Sequence, residues 1–419
     1  SEFKSNRVLQ IIFFAVVFYA SACLGYFLTF DRTTLPTWPP AGVAFALILL
    51  MGKQGWPGIA IGSLIASLMS NWNDNSFPIQ SVIAIASFTA VAHTIEALVG
   101  WWLVKNWIRD DYPFKTSRGA FQFLFVALLM CLSGALLGTF VLYTSGVIQS
   151  PLLLKTGISW LVGNAVGVLL FTPFILSLAR KNHFQFSSEK VLEVSLFIVG
   201  TSAIVFLLQV EYFSATVQRA LPFLILPFFL WLAFRFHLRI ATAGVLIVSL
   251  LAIYFTVEGQ GPFVLTEPYY SMLLLQIFIG VMSISTLVLS ATVKERTVAQ
   301  HTLLEFNENL EAKVLERTRA LHEEILTRKE AEAKLQKTNL ELSKRNTELD
   351  NFVYSVSHDL RAPIASVLGL INLAKKDRDL AMKDTYLEMI NNSALQQDHF
   401  IREILDQSRN SRLDVKREE

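Results

Sequence analysis

The chain has 419 residues, of which 53% are hydrophobic and 17% charged, with a formal net charge of +2. So apolar an average excludes an ordinary soluble domain, and a charge so near neutral gives no reason to expect global affinity for nucleic acid or anionic lipid. Both cysteines, Cys23 and Cys131, lie in apolar runs, which excludes a disulfide framework and a zinc site, and no metal site is expected.

The average conceals a division. Val8 to Thr292 is a series of apolar runs, whereas Val293 to Glu419 is dense in Glu, Lys, Arg, Asn and Gln. A membrane domain followed by a soluble helical tail fits that pattern. The opening "SEFKSNR" reads as a cloning remnant without an initiator Met. The first run, 8–30, has no small-residue cleavage site and is expected as a retained helix. Further runs follow at 40–52, 57–71, 79–104, 119–146, 154–179, 191–210, 219–234, 238–256 and 270–292. With about 20 residues needed per spanning helix, eight to ten spans are expected. The second and third runs are short and bounded by "TWPPAG" and "GKQGWPG", so they form either two thin spans or one broken, re-entrant pair.

Lys and Arg set the orientation. With the N-terminus in the cytoplasm, twelve fall on inner segments, against Arg32, Lys155 and Arg219 outside. Both termini are therefore expected in the cytoplasm of a bacterial inner membrane.

Several polar residues interrupt the apolar runs. His93 and Glu96, in "AHTIEALVGWW", are three apart and share a helix face. Ionisable groups at membrane depth are costly and mark a functional site by default; the plainer reading is polar glue between helices. Asn164 stands between Gly163 and Gly167, a spacing that also suits close helix packing. Trp38, before Pro39 and Pro40, is expected to shape an outer mouth or, more plainly, to anchor at the interface. His93, Glu96, Asn164 and Trp38 are together the candidate ligand or ion site of the membrane part.

The stretches "LPTWPPAGVAFALILLMGKQGWPGIAIGSLIASL" (35–68), "WLVGNAVGVLLFTPFIL" (160–176) and "GQGPF" (259–263) resemble the membrane-associated sensor domain of the MASE family, first class. The resemblance covers about 285 residues. It implies a sensory input, usually of eight spans, fused to a signalling output and responding to a small-molecule or membrane stimulus. The family often carries an acidic residue where this chain has Asn164, a departure that weighs against a cation site there.

From Val281 to Pro363 the chain has neither Pro nor Gly, so the tenth run is expected to continue as helix until it breaks or bends at Pro363. Val314, Leu321, Leu335, Leu342, Leu349 and Val356 recur every seven residues, with Arg328 interrupting. Thr318, Ile325, Glu332, Asn339, Asn346 and Val353 are the second seam position. This predicts a modest parallel, two-stranded coiled coil. The four-residue step from Leu310 to Val314 is a phase shift that unwinds it locally. Carried forward, the seam takes Val356, Leu360, Val367 and Leu370, and leaves His358 pointing away.

A histidine held in water beside Asp359 suits phosphoryl transfer to an imidazole nitrogen. Its unperturbed pKa of about 6.5 keeps it nucleophilic near neutrality, and the carboxylate can take up the proton. "FVYSVSHDLRAPI" resembles the H-box of the HisKA dimerisation and phosphoacceptor domain of sensor histidine kinases, matching at Phe352, Ser357, His358, Asp359, Leu360, Arg361 and Pro363. The resemblance covers roughly 340–412. It implies His358 as phosphoacceptor, Asp359 as general base, and Arg361 and Pro363 as helix-bend and H-box support. It also implies a homodimeric four-helix bundle and an aspartate on a response-regulator receiver domain as next recipient. Where the family often has a water-positioning Thr or Asn, this chain has Ala362, which argues against phosphatase activity. A turn is expected over 375–384 and a second helix over 385–409.

Nucleotide-binding motifs do not follow. ATP and Mg are therefore expected only with a missing catalytic domain, and this chain alone is expected to be inactive. The fold class is all-α: a polytopic membrane bundle (1–292), a coiled-coil signalling helix (293–339), a phosphoacceptor bundle (340–412) and a tail (413–419). Competing functions are a transporter or ligand-binding membrane protein with a dimerising tail, and a scaffold that only dimerises.

Overall fold

Each apolar run of the sequence forms a helix in the computed structural model, which describes residues 6–29, 35–71, 78–110, 112–180, 188–209 and 220–415. Helices α1 (Arg7–Phe27), α2 (Pro39–Met51), α3 (Trp56–Asn71), α4 (Ile79–Leu103), α5 (Ser117–Thr144) and α6 (Leu153–Leu178) come first. Then follow α7 (Ser188–Gln209), α8 (Leu226–Arg235), α9 (Leu238–Val257), α10 (Pro268–Lys376) and α11 (Leu380–Val415). No strand occurs among the described residues. Six of the helices are long and apolar enough to cross a membrane: α1, α4, α5, α6, α9 and the first part of α10. Local chemistry fixes several ends. Asn6 caps α1 by accepting from the Leu9 N–H, and Thr116 caps α5 by accepting from the Gly119 N–H at 3.1 Å.

Helix α2 is the centre of the membrane unit. Every residue from Pro39 to Leu49 is buried, so no face of it meets lipid. Thirteen residues reach only about 20 Å, short of the roughly 30 Å hydrocarbon core. The segment leading into it is held inside the bundle. The Trp38 N–H donates to the Gly163 carbonyl of α6 at 3.0 Å, and Gln276 Nε2 of α10 donates to the Pro36 carbonyl at 3.0 Å. Pro39 and Pro40 then occupy first-turn positions, where a missing N–H removes no helical bond. Gly42 and Gly167 let α2 and α6 approach: a Cβ on Gly42 would meet the Gly167 carbonyl, and one on Gly167 the Trp38 carbonyl. Thr172 completes the seam by donating to the Gly42 carbonyl at 2.8 Å.

Residues 306–419 form a second compact unit. Helix α10 runs unbroken through Pro363 to Lys376, which corrects the expected break: a proline deletes one rung, and the rungs on either side keep the helix. The expected turn at 375–384 also shrinks, to 377–379. Asp379 caps α11 by accepting from the Ala381 N–H at 3.1 Å, so the second helix begins five residues earlier than expected. Val356, Leu360, Pro363, Val367 and Leu370 are half-buried, as are Tyr386, Ile390, Ser393, Gln397, Phe400 and Ile404 on α11. Their alternating steps of four and three mark the inner faces of a helical hairpin. From Lys294 to Ser355, by contrast, every side chain of the chain is exposed, the apolar seam included: Val314, Leu321, Leu335 and Leu342 are 47–62% accessible.

Candidate functional site

Two polar constellations stand out, one in each unit. In the membrane unit, α4 presents His93 and Glu96 to different neighbours. Ser63 Oγ on α3 lies 2.8 Å from His93 Nδ1. The imidazole is stacked on Trp38 at 5.6 Å and flanked by Phe18 at 5.8 Å and Trp160 at 6.0 Å. Asn164 Nδ2 on α6 donates to both oxygens of Glu96, at 2.9 and 2.8 Å. A Cβ on Gly134 of α5 would meet Glu96 Oε2, so a glycine is what admits the carboxyl between α4 and α5. Glu96 is 1% accessible and Asn164 2%.

The fold thus brings together all four membrane residues singled out in the sequence, in two pairs: Glu96 with Asn164, and His93 with Trp38. The expectation of Trp38 as an interfacial anchor is corrected, because its ring is buried and stacked on His93. Its Nε1 has no hydrogen-bond partner, and neither has the Thr37 hydroxyl beside it. Sequence reasoning missed Ser63, Phe18, Trp160 and Gly134, which carry no local signal and enter only through contacts distant in the chain. Among the described residues no group of three His, Cys, Asp or Glu side chains could hold a metal. Chemically the cluster can lock helices together and sense whatever moves Trp38.

In the second unit, His358 projects from α10 with its side chain 72% accessible, beside Asp359 at 50%. Its Nδ1 lies 3.2 Å from Asp359 Oδ1, and Ser355 Oγ lies 3.5 Å from Asp359 Oδ2. The half-buried Val356 and Leu360 on either side fix which way the helix faces, and His358 falls on the open side. Arg361 and Ala362 are exposed, whereas Pro363 joins the half-buried stripe. With Nδ1 directed at a carboxylate, the favoured tautomer carries its proton there and leaves the Nε2 lone pair for an incoming electrophile.

The MASE1 family model matches residues 10–297. The model of the His Kinase A (phospho-acceptor) domain matches residues 348–412. Over 86 residues the chain is 34% identical to the methanogenesis regulatory histidine kinase FilI of Methanothrix harundinacea, a stretch that is 20% of this chain and 10% of that protein. No solved structure matches.

Proposed function

The chain belongs to the MASE1 family, and we propose that it is the sensory and phosphoacceptor portion of a two-component sensor histidine kinase. The observation that carries this reading is the water-exposed His358 ring with its Nδ1 held by Asp359.

In the reaction, Nε2 of His358 attacks the γ-phosphorus of ATP, supplied with Mg by a catalytic domain on the same polypeptide or in trans. A P–N bond forms, the bond to the ADP oxygen breaks, and the Nδ1 proton passes to Asp359. A receiver-domain aspartate of a response regulator then takes the phosphoryl group. Ala362 offers no hydroxyl or amide to orient water, so the reading assigns transfer rather than dephosphorylation to this unit.

The helix that bears His358 is the one whose Gln276 holds the entry to α2. A stimulus that repositions the Trp38 segment would therefore act on α10 directly. It must bind one packing more tightly than the other, since equal affinity shifts nothing. The uncovered seam from Val314 to Leu342 and the apolar residues left exposed on the hairpin, such as Leu368 and Leu395, support a homodimer. The excess of Lys and Arg on one set of loops supports cytoplasmic termini in a bacterial inner membrane.

The test is to incubate the reconstituted chain with a histidine-kinase catalytic domain and labelled ATP. Acid-labile label is expected on the chain and none on His358→Ala. Label that persists in the variant, or none on either, overturns the proposal.

A further inference from the structure

Away from both constellations, five helix ends meet at one boundary of the membrane unit. Beyond α4 the chain makes one π-turn (Val104–Ile108) and a short loop before α5 begins at Ser117. The α6 end at Leu178 and the α9 start at Leu238 adjoin it, for Arg239 donates to the carbonyls of Ser177, Leu178 and Arg180. The apolar part of α10 arrives at the same place and turns charged at Lys294. Trp102 and Trp107, 58% and 45% accessible, set this boundary at the headgroup level, where indole rings accumulate.

Two cations lie close to one aromatic ring here. The Arg180 guanidinium carbon lies 3.9 Å from the Tyr112 ring centroid, and Lys294 Nζ lies 5.6 Å from it. That places the two charges within about one screening length of each other, about 10 Å at 0.1 M salt. Of the described acids nearby, Asp110 feels the charge of Arg180 but hydrogen-bonds Lys115, and Glu295 bonds Ser117. Asp110 Oδ2 meets Lys115 Nζ at 2.6 Å, and Glu295 Oε2 accepts from the Ser117 N–H at 2.8 Å and its hydroxyl at 2.7 Å. Among the described residues, neither Arg180 nor Lys294 has a carboxylate at ion-pair distance. Partial burial, then the charges of Arg180 and Lys115, hold Lys294 below the usual lysine range, as befits a cation crowded by its own kind.

We propose that Arg180, Lys294 and the face of Tyr112 bind the phosphate of an anionic phospholipid headgroup. A phosphate oxyanion supplies what the two cations lack, and basic pockets between transmembrane helices at headgroup depth recognise such groups. A free phosphate ion has the same chemistry. The position of the site just beyond the α4 end that carries the exposed Trp102 and Trp107 commits it to lipid. The inference stands apart from the kinase reading, since it requires only that residues 10–297 sit in a membrane.

The experiment takes the full chain in nanodiscs of phosphatidylcholine titrated with phosphatidylglycerol and counts retained phosphatidylglycerol by native mass spectrometry. Arg180→Gln with Lys294→Gln is expected to weaken retention by more than about twenty-five-fold, the loss expected from removing any two basic residues near an anionic surface. The charge-matched pair Arg109→Gln with Arg118→Gln, near the same boundary, is expected to change it by no more than that general loss of about twenty-five-fold. Should the Gln pair unfold, Arg180→Lys with Lys294→Arg substitutes for it and is expected to keep binding, and its loss of binding counts against the site. Equal losses in both Gln pairs would reduce the effect to the general charge of that face. Displacement of the lipid by inorganic phosphate would make it a site for a small anion. Either result overturns the proposal.

Discussion

His93 stands three residues from a carboxylic acid on its helix and His358 one residue from another, yet the two rings sit in opposite surroundings. In the membrane unit the imidazole is enclosed by Trp38, Phe18 and Trp160, and its one hydrogen bond goes to Ser63. Beyond the membrane unit the second ring stands in water with a carboxylate on one nitrogen. The difference teaches that residue type and spacing do not separate a packing histidine from a reactive one. What separates them is the side of the helix that the neighbouring apolar residues cover.

The contrast can be pressed hardest at Asp359. Asp359→Asn keeps the shape but removes the carboxylate proposed as base, and phosphoryl incorporation at His358 is expected to fall about 100- to 10,000-fold with the melting temperature unchanged. Phosphorylation assays beside thermal unfolding read both, and a variant as active as the parent would strip Asp359 of its role. The converse change lies in the buried unit. Asn164→Ala leaves the Glu96 carboxyl with only the weak thiol donor of Cys131, at a cost of about 1–3 kcal/mol. That exceeds the roughly 0.6 kcal/mol average of interhelical hydrogen bonds in membranes, because a polar group is stranded. Denaturation in detergent measures it, and an unperturbed midpoint would mean that water or another group reaches Glu96.

The smallest effect belongs to a polar pair that is neither enclosed nor reactive. Burial pushes the Asp110 carboxyl up, but hydrogen bonds from Lys115 and the Tyr112 N–H, with the charges of Lys115 and Arg180, outweigh it and hold the group below the usual carboxylate range. A depressed folded pKa makes its contribution complete above the unfolded value of about 3.9 and lost as pH falls below it. With side chains 46% and 39% accessible, the pair contributes under about 1 kcal/mol. Comparing the parent with Asp110→Asn at pH 6 and pH 3 tests the sign: any gap at pH 6 should narrow at pH 3.

Much of the fold was legible because apolar runs and seven-residue recurrence are local signals. The H-box was legible for the same reason, from Phe352 to Pro363. The buried cluster was legible by halves. Glu96 and Asn164 betrayed themselves as polar groups among apolar neighbours, but Ser63, thirty residues from His93, looks like any other small residue. The turn at 377–379 was placed too broadly because Asp377 and Asp379 act as caps rather than as loop, and side-chain capping is decided by a single hydrogen bond.

Because α10 has no interruption between Val314 and His358, position along it and angle around it are a single coordinate. Each residue inserted between them advances every later side chain by about 100°, and seven together nearly restore the starting angle. Evolution can thus lengthen or shorten this shaft only in whole heptads without re-aiming the imidazole, and output plotted against insertion length should rise and fall with that period.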